Sequence, residues 1–436
     1  MHLIDERQVY QKLGEKIDNL YVRAPWNETW HSILKELYTT EEADLVVKMP
    51  YTLSSLERIF HVTGIERTRL QGILERLCRK GLVMDLWSED HGRYFYMVNP
   101  IAIGIFEFTM MRTGNGLNTK RWAELFHDYF GAVHEGNFSN HEQTSALRVI
   151  PVEESVTQGR YTEFFDYEKA SSLIEDAGTL AIGLCSCRNE KTHTGKKECD
   201  APLDTCSMLG IGAQYAIRNN FAREVSKSEM RDNLARSREY NLVFCAVNTR
   251  KNPMAICHCC KCCCNFLGGL TRHGYQNCVV TSCFIATIDA GTCSGCGKCL
   301  DLCPVDALRL VSAHDPRNRK RKTIQLYTDL CVGCGVCVTG CPVGAIEMTP
   351  REGRVLHPET LFEITILSAL ERGTLQNQIF DNPQSVAQGF MRTFVGAFLR
   401  LPQIKRALMS DTFRSAFLST ARFTATLQGK GWMLDL

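Results

Sequence analysis

Two cysteine runs of identical spacing lie 38 residues apart in the second half of the chain, starting at Cys293 and Cys331. Each follows the pattern C-x2-C-x2-C-x3-C-P, and the runs end at Pro304 and Pro342. A [4Fe–4S] cube needs a thiolate for each of its four irons, and a tight loop with cysteines three apart reaches three of them. Zinc is the alternative, but it has no need of the x3-Cys-Pro ending. The spacing predicts two [4Fe–4S] clusters.

The fourth cysteine of such a run is expected to bind the cluster of the other run. The predicted ligands of the first cluster are Cys293, Cys296, Cys299 and Cys341. Those of the second cluster are Cys331, Cys334, Cys337 and Cys303. Lys298 lies beside the predicted first cluster, and the equivalent position beside the second cluster is Val336. The positive charge predicts that the first cluster is the more easily reduced.

Residues 285–349 resemble the bacterial two-[4Fe–4S] ferredoxin family. The two halves, Ile288–Val311 and Leu326–Thr349, each read as strand, cysteine run, helix and strand. The resemblance implies a pseudo-symmetric pair of hairpins and helices that carries single electrons. The link between the halves is longer than in that family and contains the basic stretch Pro316–Lys322. This stretch is either a docking site for an acidic redox partner or a solvated loop.

A second group of cysteines precedes the repeat. Cys185-x-Cys187-Arg188 is followed by Cys199 and Cys206, which gives four thiolates within 22 residues. They predict a further metal centre, iron–sulfur in the preferred interpretation, with a zinc site or scattered buried thiols as alternatives.

The third group is the run from Cys257 to Cys264. Its six cysteines are Cys257, Cys259, Cys260, Cys262, Cys263 and Cys264. They cannot all reach one ordinary cube, so we expect either a wall shared by two clusters or an unusual, noncubane cluster. The chemistry, though not the spacing, resembles the cysteine-rich domains of heterodisulfide reductases. His258 either binds iron or hydrogen-bonds a nearby sulfur. One or two further iron–sulfur clusters are therefore predicted.

Of the 22 cysteines, all but Cys78 lie between Cys185 and Cys341. This crowding predicts metal ligation in a reducing compartment. The pattern of 185–264 followed by a two-cluster ferredoxin resembles larger multi-cluster iron–sulfur proteins of anaerobic bacteria. Cys78 and Cys245 are predicted core residues, and Cys278 and Cys283 are either buried thiols or extra ligands. The sequence shows no export signal and no long apolar run, so a cytoplasmic location is expected.

The expected fold class is α+β with several domains. The divisions are a winged-helix-like and helical domain at 1–150, a cysteine-rich domain at 151–284, a ferredoxin-like domain at 285–350 and a helical region at 351–436. In the first, helices at 52–60 and 65–80 precede a hairpin at 82–98. A winged helix serves either DNA or protein contact. The basic C-terminal region either packs on the body or lies on the inner face of the membrane.

The preferred functional hypothesis is a multi-cluster electron-transfer protein that works with a partner redox protein or oxidoreductase subunit. It rests on many predicted clusters and on the lack of a G-x-G-x-x-G or P-loop motif. One alternative is an oxidoreductase whose own catalytic cluster lies in the run 257–264. Another is a redox-sensing DNA-binding regulator, although nucleic acid is not the expected partner. No catalytic residue is predicted.

Overall fold

The computed structural model describes residues 6–135, 144–156, 165–274, 278–316, 318–353, 355, 357–427, 431 and 434. Its α-helices, α1 to α19 in chain order, are Glu6–Asp18, Glu28–Leu37, Thr40–Lys48, Leu56–Thr63, Arg67–Arg79, Phe106–Met111, Thr119–Glu135, Ala170–Asp176, Ser186–His193, Gly210–Arg218, Lys227–Glu239, Asn265–His273, Lys298–Leu302, Val336–Thr339, Leu361–Arg372, Leu375–Ile379, Val386–Leu399, Pro402–Met409 and Asp411–Leu427. Its strands, β1 to β14, are Ser54–Ser55, Val83–Ser88, Arg93–Val98, Leu147–Ile150, Leu180–Gly183, Cys206–Leu209, Ala222–Glu224, Val243–Val247, Ala255–Cys259, Val279–Val280, Phe284–Ile288, Leu308–Ser312, Lys322–Leu326 and Ile346–Pro350. The α+β class is confirmed.

The N-terminal region contains the predicted succession of two helices and a hairpin. The first helix is α4, which begins after Ser55 rather than at residue 52, because the Ser55 side chain accepts a hydrogen bond from the Arg58 N–H and caps the helix. Its second helix, α5, buries the apolar face formed by Leu70, Ile73 and Leu77. β1 pairs with β3 beside the hairpin, which gives a three-stranded sheet. The winged-helix assignment itself stays a prediction.

A mixed seven-stranded sheet forms the middle of the molecule, in the order β10-β4-β8-β9-β6-β5-β7. β4 falls at the end of the predicted first domain, 1–150, yet it pairs with β8 and is therefore part of the middle sheet. The segment 219–240, expected to form one or two surface helices, contains the short edge strand β7 as well as α11.

The duplicated segment, residues 284–350, forms two hairpin-like pairs of strands with a short helix between the strands of each half. β11 pairs with β14, and β12 pairs with β13, both antiparallel. Gly297 and Gly335 precede α13 and α14 with φ of 80° and 78°, a left-handed conformation that glycine adopts without steric cost. Each cysteine loop can therefore turn sharply into its helix.

The C-terminal helices pack against the N-terminal region. The Thr374 hydroxyl donates to the Leu20 carbonyl at 3.0 Å, and the Tyr51 N–H donates to the Asp381 carbonyl at 2.9 Å. Among the described residues, no helix has the length and apolarity needed to cross a membrane.

Candidate iron–sulfur centres

The eight cysteines of the duplicated segment form two groups. Burial and, after it, the nearby sulfurs of Cys293, Cys296 and Cys341 raise the pKa of the Cys299 thiol to about 11. Burial likewise raises the pKa of Cys334, beside the sulfurs of Cys337, Cys303 and Cys331. The fourth cysteine of each run thus lies with the first three of the other.

Backbone N–H groups surround these sulfurs in a symmetric way. The Ala307 N–H donates to the Cys303 sulfur at 3.3 Å, and the Ala345 N–H donates to the Cys341 sulfur at the same distance. Such hydrogen bonds stabilise thiolates and tune the potential of an attached cluster. Four thiols in each group, with amide donors around them, fit the ligand requirement of a [4Fe–4S] cluster.

A family comparison agrees with this geometry. Residues 292–353 match the 4Fe-4S dicluster domain. Searches of curated proteins and of solved structures found no match to the chain. The dicluster domain and the many cysteines indicate an iron–sulfur electron-transfer protein that binds [4Fe–4S] clusters.

The two centres of the dicluster domain differ in exposure. Cys296 of the first group is exposed, and the pKa of its thiol is lowered chiefly by the Lys298 backbone N–H. Cys293 and Cys299 of the first group are buried, as are Cys331, Cys334 and Cys303 of the second. The first centre therefore reaches the surface through Cys296, whereas none of the second centre's predicted ligands is exposed.

A basic face surrounds the first centre. We use this name for Lys298, Arg319, Lys320 and Lys322, whose side chains are all exposed. Arg321 holds the link against the ligand loop, because its guanidinium donates to the carbonyls of Ala290 and Gly291. The basic stretch of the link thus lies beside Cys296.

The middle sheet brings cysteines from three strands into one row. In the antiparallel pairing, Cys245 lies opposite Cys257, and the register of β6 with β9 places Cys206 on the other side of Cys257. Directly opposed residues of neighbouring strands point to the same face. Cys259, two residues beyond Cys257, shares that face.

The N-termini of α9 and α12 complete a cavity above this row. Cys185 and Cys187 stand at the beginning of α9, and Cys264 precedes α12 as its N-cap. Eight cysteines line this cavity. We name it the six-cysteine cavity after Cys185, Cys187, Cys206, Cys257, Cys259 and Cys264, and Cys260 and Cys263 also line its wall.

The sulfurs of this cavity are hydrogen-bonded to one another. Hydrogen bonds from Cys206 and then Cys259 lower the pKa of Cys257. Hydrogen bonds from Cys187 and then Cys259 lower the pKa of Cys264. The pKa values of the other four thiols, Cys185, Cys187, Cys206 and Cys259, are raised. The network therefore favours the thiolate, the form that binds metal, at Cys257 and Cys264.

The other four predicted ligands of the middle region form a compact quartet that adjoins this cavity, since two of them also line its wall. We name Cys199, Cys260, Cys262 and Cys263 the cysteine quartet, since their sulfurs all lie within 4.8 Å of one another. The Cys262 sulfur is 3.4 Å from that of Cys263 and 3.9 Å from that of Cys260. The run 257–264 thus contributes to two adjoining groups of sulfurs.

Arg188 is a buried cation between the two sites. Its side chain is fully buried and donates to the His258 carbonyl at 2.8 Å and to the Thr205 hydroxyl. Although burial alone lowers its pKa, the sulfurs of Cys185 and Cys260 raise it above the ordinary value. Arg188 offsets thiolate charge on both sides.

His258 has a different role from either predicted one. Its ring lies on the opposite face of β9 from the cysteine row, where Nε2 is 2.9 Å from the Ser207 hydroxyl and Nδ1 is 2.6 Å from the Ser237 hydroxyl. Burial, followed by the charge of Arg188, lowers its pKa to about 3. In this arrangement the neutral ring hydrogen-bonds serines and fixes the strand.

Glu107 is a cavity residue that the sequence did not indicate. It belongs to α6 in the N-terminal region and lines the six-cysteine cavity. Burial raises the pKa of its carboxyl to about 7, despite a hydrogen bond from the Gly104 N–H at 2.9 Å. No cysteine or metal motif flanks it, so spacing gave no signal.

The remaining cysteines lie outside both sites. Cys78 is buried in the N-terminal core. Cys245 is buried in the sheet and contacts Cys259. Cys283 is buried beside polar groups, with its N–H donating to the Glu168 carboxylate at 3.0 Å and its sulfur near that carboxylate and His357. Cys278 lies at the edge of the core that contains the dicluster domain.

Proposed function

We propose that this chain is a multi-cluster electron-transfer protein that relays electrons between a partner redox protein and centres in residues 185–264. One observation carries the proposal: a single hydrophobic core brings together seven of the eight dicluster cysteines, all but Cys296, with Cys245, Cys259 and Cys264 of the middle domain. Electron transfer requires centres held close in a fixed geometry, and a shared, close-packed core provides this.

The proposed ligands follow the grouping of the sulfurs. Cys293, Cys296, Cys299 and Cys341 hold the first [4Fe–4S] cluster, and Cys331, Cys334, Cys337 and Cys303 hold the second. The six-cysteine cavity holds a further iron–sulfur cluster, for which more than four thiolates and a noncubane structure are available.

Specific contacts support a fixed path between these centres. The charge of Cys299 in the first group acts on Cys337 in the second. Lys261, inside the run 257–264, makes a 2.5 Å ion pair with Asp306, three residues after Cys303. The relay accordingly runs from the first centre through the second to the six-cysteine cavity.

We place the partner at the basic face. Exposed lysines and arginines beside the exposed Cys296 would attract an acidic redox protein and orient it toward the first centre.

We also propose that the chain is peripheral to a membrane through α17. Val386, Phe390, Phe394 and Phe398 recur every four residues on one face of this helix and are between 52% and 90% exposed. Residues 382–410 contain four Lys/Arg and no Asp or Glu. An exposed aromatic face within a basic segment is complementary to an anionic lipid surface.

A second candidate function, an oxidoreductase with its own catalytic cluster, is favoured by two observations. Glu107, with its raised pKa, can hold or release a proton beside the six-cysteine cavity near neutral pH. An apolar cavity of about 350 Å³ lies nearby, and its wall residues Leu86 and Met97 belong to the same apolar cluster as Met111 and Cys206 of the six-cysteine cavity. A small apolar substrate would fit there.

DNA binding has less support. On α5, Arg67, Arg69 and Arg76 pair with Glu57 and Glu41, which reduces the positive potential of this helix. A protein-contact role suits it better.

The proposal is tested by measuring iron and acid-labile sulfide per chain after anaerobic purification, with EPR of the reduced protein. We expect at least twelve irons, from two cubes and a further cluster. Cys334→Ser should remove one cube signal, and Cys257→Ser should remove only the signal of the third centre. Cys78→Ala is the control. Eight irons and no third signal would contradict the relay.

Substrate chemistry distinguishes the second candidate. An enzyme would show a third-centre signal that changes when small apolar electron acceptors are added, and Glu107→Gln would slow their reduction while leaving the dicluster signals unchanged. If none of these acceptors changes the EPR signal of the third centre, the relay is the only one of the two candidate functions that remains.

A further inference from the structure

The cysteine quartet differs geometrically from the other sulfur groups. Its four sulfurs all lie within 4.8 Å of one another, whereas in the described part of the chain no three of the eight dicluster cysteines meet that limit. A cube spreads its thiolates because each binds a different iron. The dicluster domain thus serves as an internal standard for cluster ligands, and the quartet is more compact than this standard.

The quartet matches a single tetrahedral ion. With a metal–sulfur distance of about 2.3 Å, tetrahedral geometry separates neighbouring sulfurs by roughly 3.8 Å. The measured separations of 3.4 and 3.9 Å are of that size. Both are far longer than a disulfide bond of about 2.05 Å. All four cysteines are free.

The surroundings suit a closed site. Cys260 and Cys263 are buried among Ala201 and Leu242, with Cys199 and Cys262 packed against them. Four thiolates around a divalent ion leave two negative charges, and the Arg188 guanidinium interacts with the Cys260 sulfur. Four protein ligands leave no open position, as in structural tetrathiolate sites.

We infer that Cys199, Cys260, Cys262 and Cys263 bind one metal ion, Zn²⁺ or iron, without inorganic sulfide. The ion fastens the loop around Cys199 to the run 257–264, which also supplies ligands to the six-cysteine cavity. It fixes this local backbone and stands outside the path of electrons. The inference concerns this site alone and does not depend on the relay.

The test compares total metal with labile sulfide. In the wild type we expect one metal ion per chain more than the labile sulfide accounts for. Elemental analysis shows whether this ion is zinc or iron. Cys199→Ser and Cys262→Ser should each lower its occupancy at least ten-fold while the labile sulfide per chain stays constant. Cys78→Ala, which alters a buried thiol outside all metal sites, should change neither value.

A second measurement covers variants that fail to fold. Wild-type protein produced with Co²⁺ should show thiolate-to-cobalt charge-transfer and tetrahedral ligand-field bands for one ion per chain. The inference is overturned if metal and sulfide fall together in the variants, because the quartet would then hold part of a cluster, or if no tetrahedral cobalt is found. If the relay proposal were wrong, the wild-type protein itself would contain less labile sulfide than three clusters require.

Discussion

Arg188 shows at the residue scale how the chain tolerates so many buried thiolates. It follows Cys187 in sequence, starts within the first turn of α9 and reaches between the six-cysteine cavity and the cysteine quartet. A buried guanidinium without a counter-charge is strongly unfavourable, and so is a cluster of buried thiolates. Each therefore makes the burial of the other possible.

Replacing Arg188 with methionine tests this charge balance. Arg188→Met keeps much of the side-chain volume but leaves the thiolates without their cation, and removal of one partner from a buried charge pair costs about 3 to 5 kcal/mol. We expect the urea midpoint to fall accordingly and the iron content of the third centre to drop. The measurement is anaerobic urea unfolding followed by iron analysis.

Arg236→Met is the matched control. Arg236 pairs with Asp204 at the surface, where an ion pair contributes less than about 1 kcal/mol. If both variants unfold at the same urea concentration, Arg188 does not balance the thiolates.

At the scale of elements, the local parts of the fold were predictable and the long-range parts were not. The cluster loops of the dicluster domain, the α5 face and the strands β5 and β8 follow from spacing and hydrophobic pattern within short segments. The row of Cys206, Cys257 and Cys245 depends on the register of three strands that come from distant parts of the chain. Sequence spacing carries no information on such pairing.

The same reason explains what the sequence could not separate. Ten of the eleven cysteines from Cys185 to Cys264, all but Cys245, were predicted together as metal ligands, but neighbours in the run 257–264 join different groups. Cys259 ends strand β9 and points to the six-cysteine cavity, whereas Cys260 begins the turn and joins the quartet. Glu107 was missed because an adjacent domain supplies it.

The α17 helix leads to a prediction about membrane binding. Phe390→Ser combined with Phe394→Ser removes two exposed rings, and burial of each in lipid is worth about 1.5 to 3 kcal/mol. We expect sedimentation with vesicles of phosphatidylcholine and phosphatidylglycerol to weaken at least ten-fold. Wild-type binding should also weaken as salt is raised, because the basic segment contributes.

Tyr240→Ser is the control for α17, since Tyr240 is an exposed aromatic residue on a different element. It should bind vesicles as the wild type does. A wild-type chain that ignores anionic vesicles but self-associates through Phe390 and Phe394 would show that the face binds protein and not lipid.

At the scale of the whole molecule, the structure separates a surface end from an interior end. The exposed Cys296 and the basic face form the first, and the buried six-cysteine cavity, enclosed by α6 of the N-terminal region and the middle sheet, forms the second. The dicluster domain lies between them in one continuous core. In the proposed relay, electrons exchanged at the surface end pass to the centre at the interior end.

Charge reversal at the surface end tests this polarity. Arg319→Glu with Lys320→Glu should slow electron exchange with a reduced, negatively charged flavodoxin at least ten-fold at low ionic strength, because long-range attraction sets the encounter rate. The difference should disappear near 0.5 M salt, where the Debye length is only a few ångströms. Stopped-flow reduction of the clusters at several salt concentrations gives these rates.

Lys12→Glu with Arg79→Glu makes the same change in net charge on exposed positions of the N-terminal region and serves as the control. If both double variants slow the reaction equally, overall charge rather than the basic face governs the encounter, and the partner docks elsewhere. A reduction rate that falls only for the Arg319 and Lys320 variant would locate electron entry at Cys296. If the interior centre is then reduced at its usual rate once the first centre has been reduced, the second centre is the link between surface and cavity.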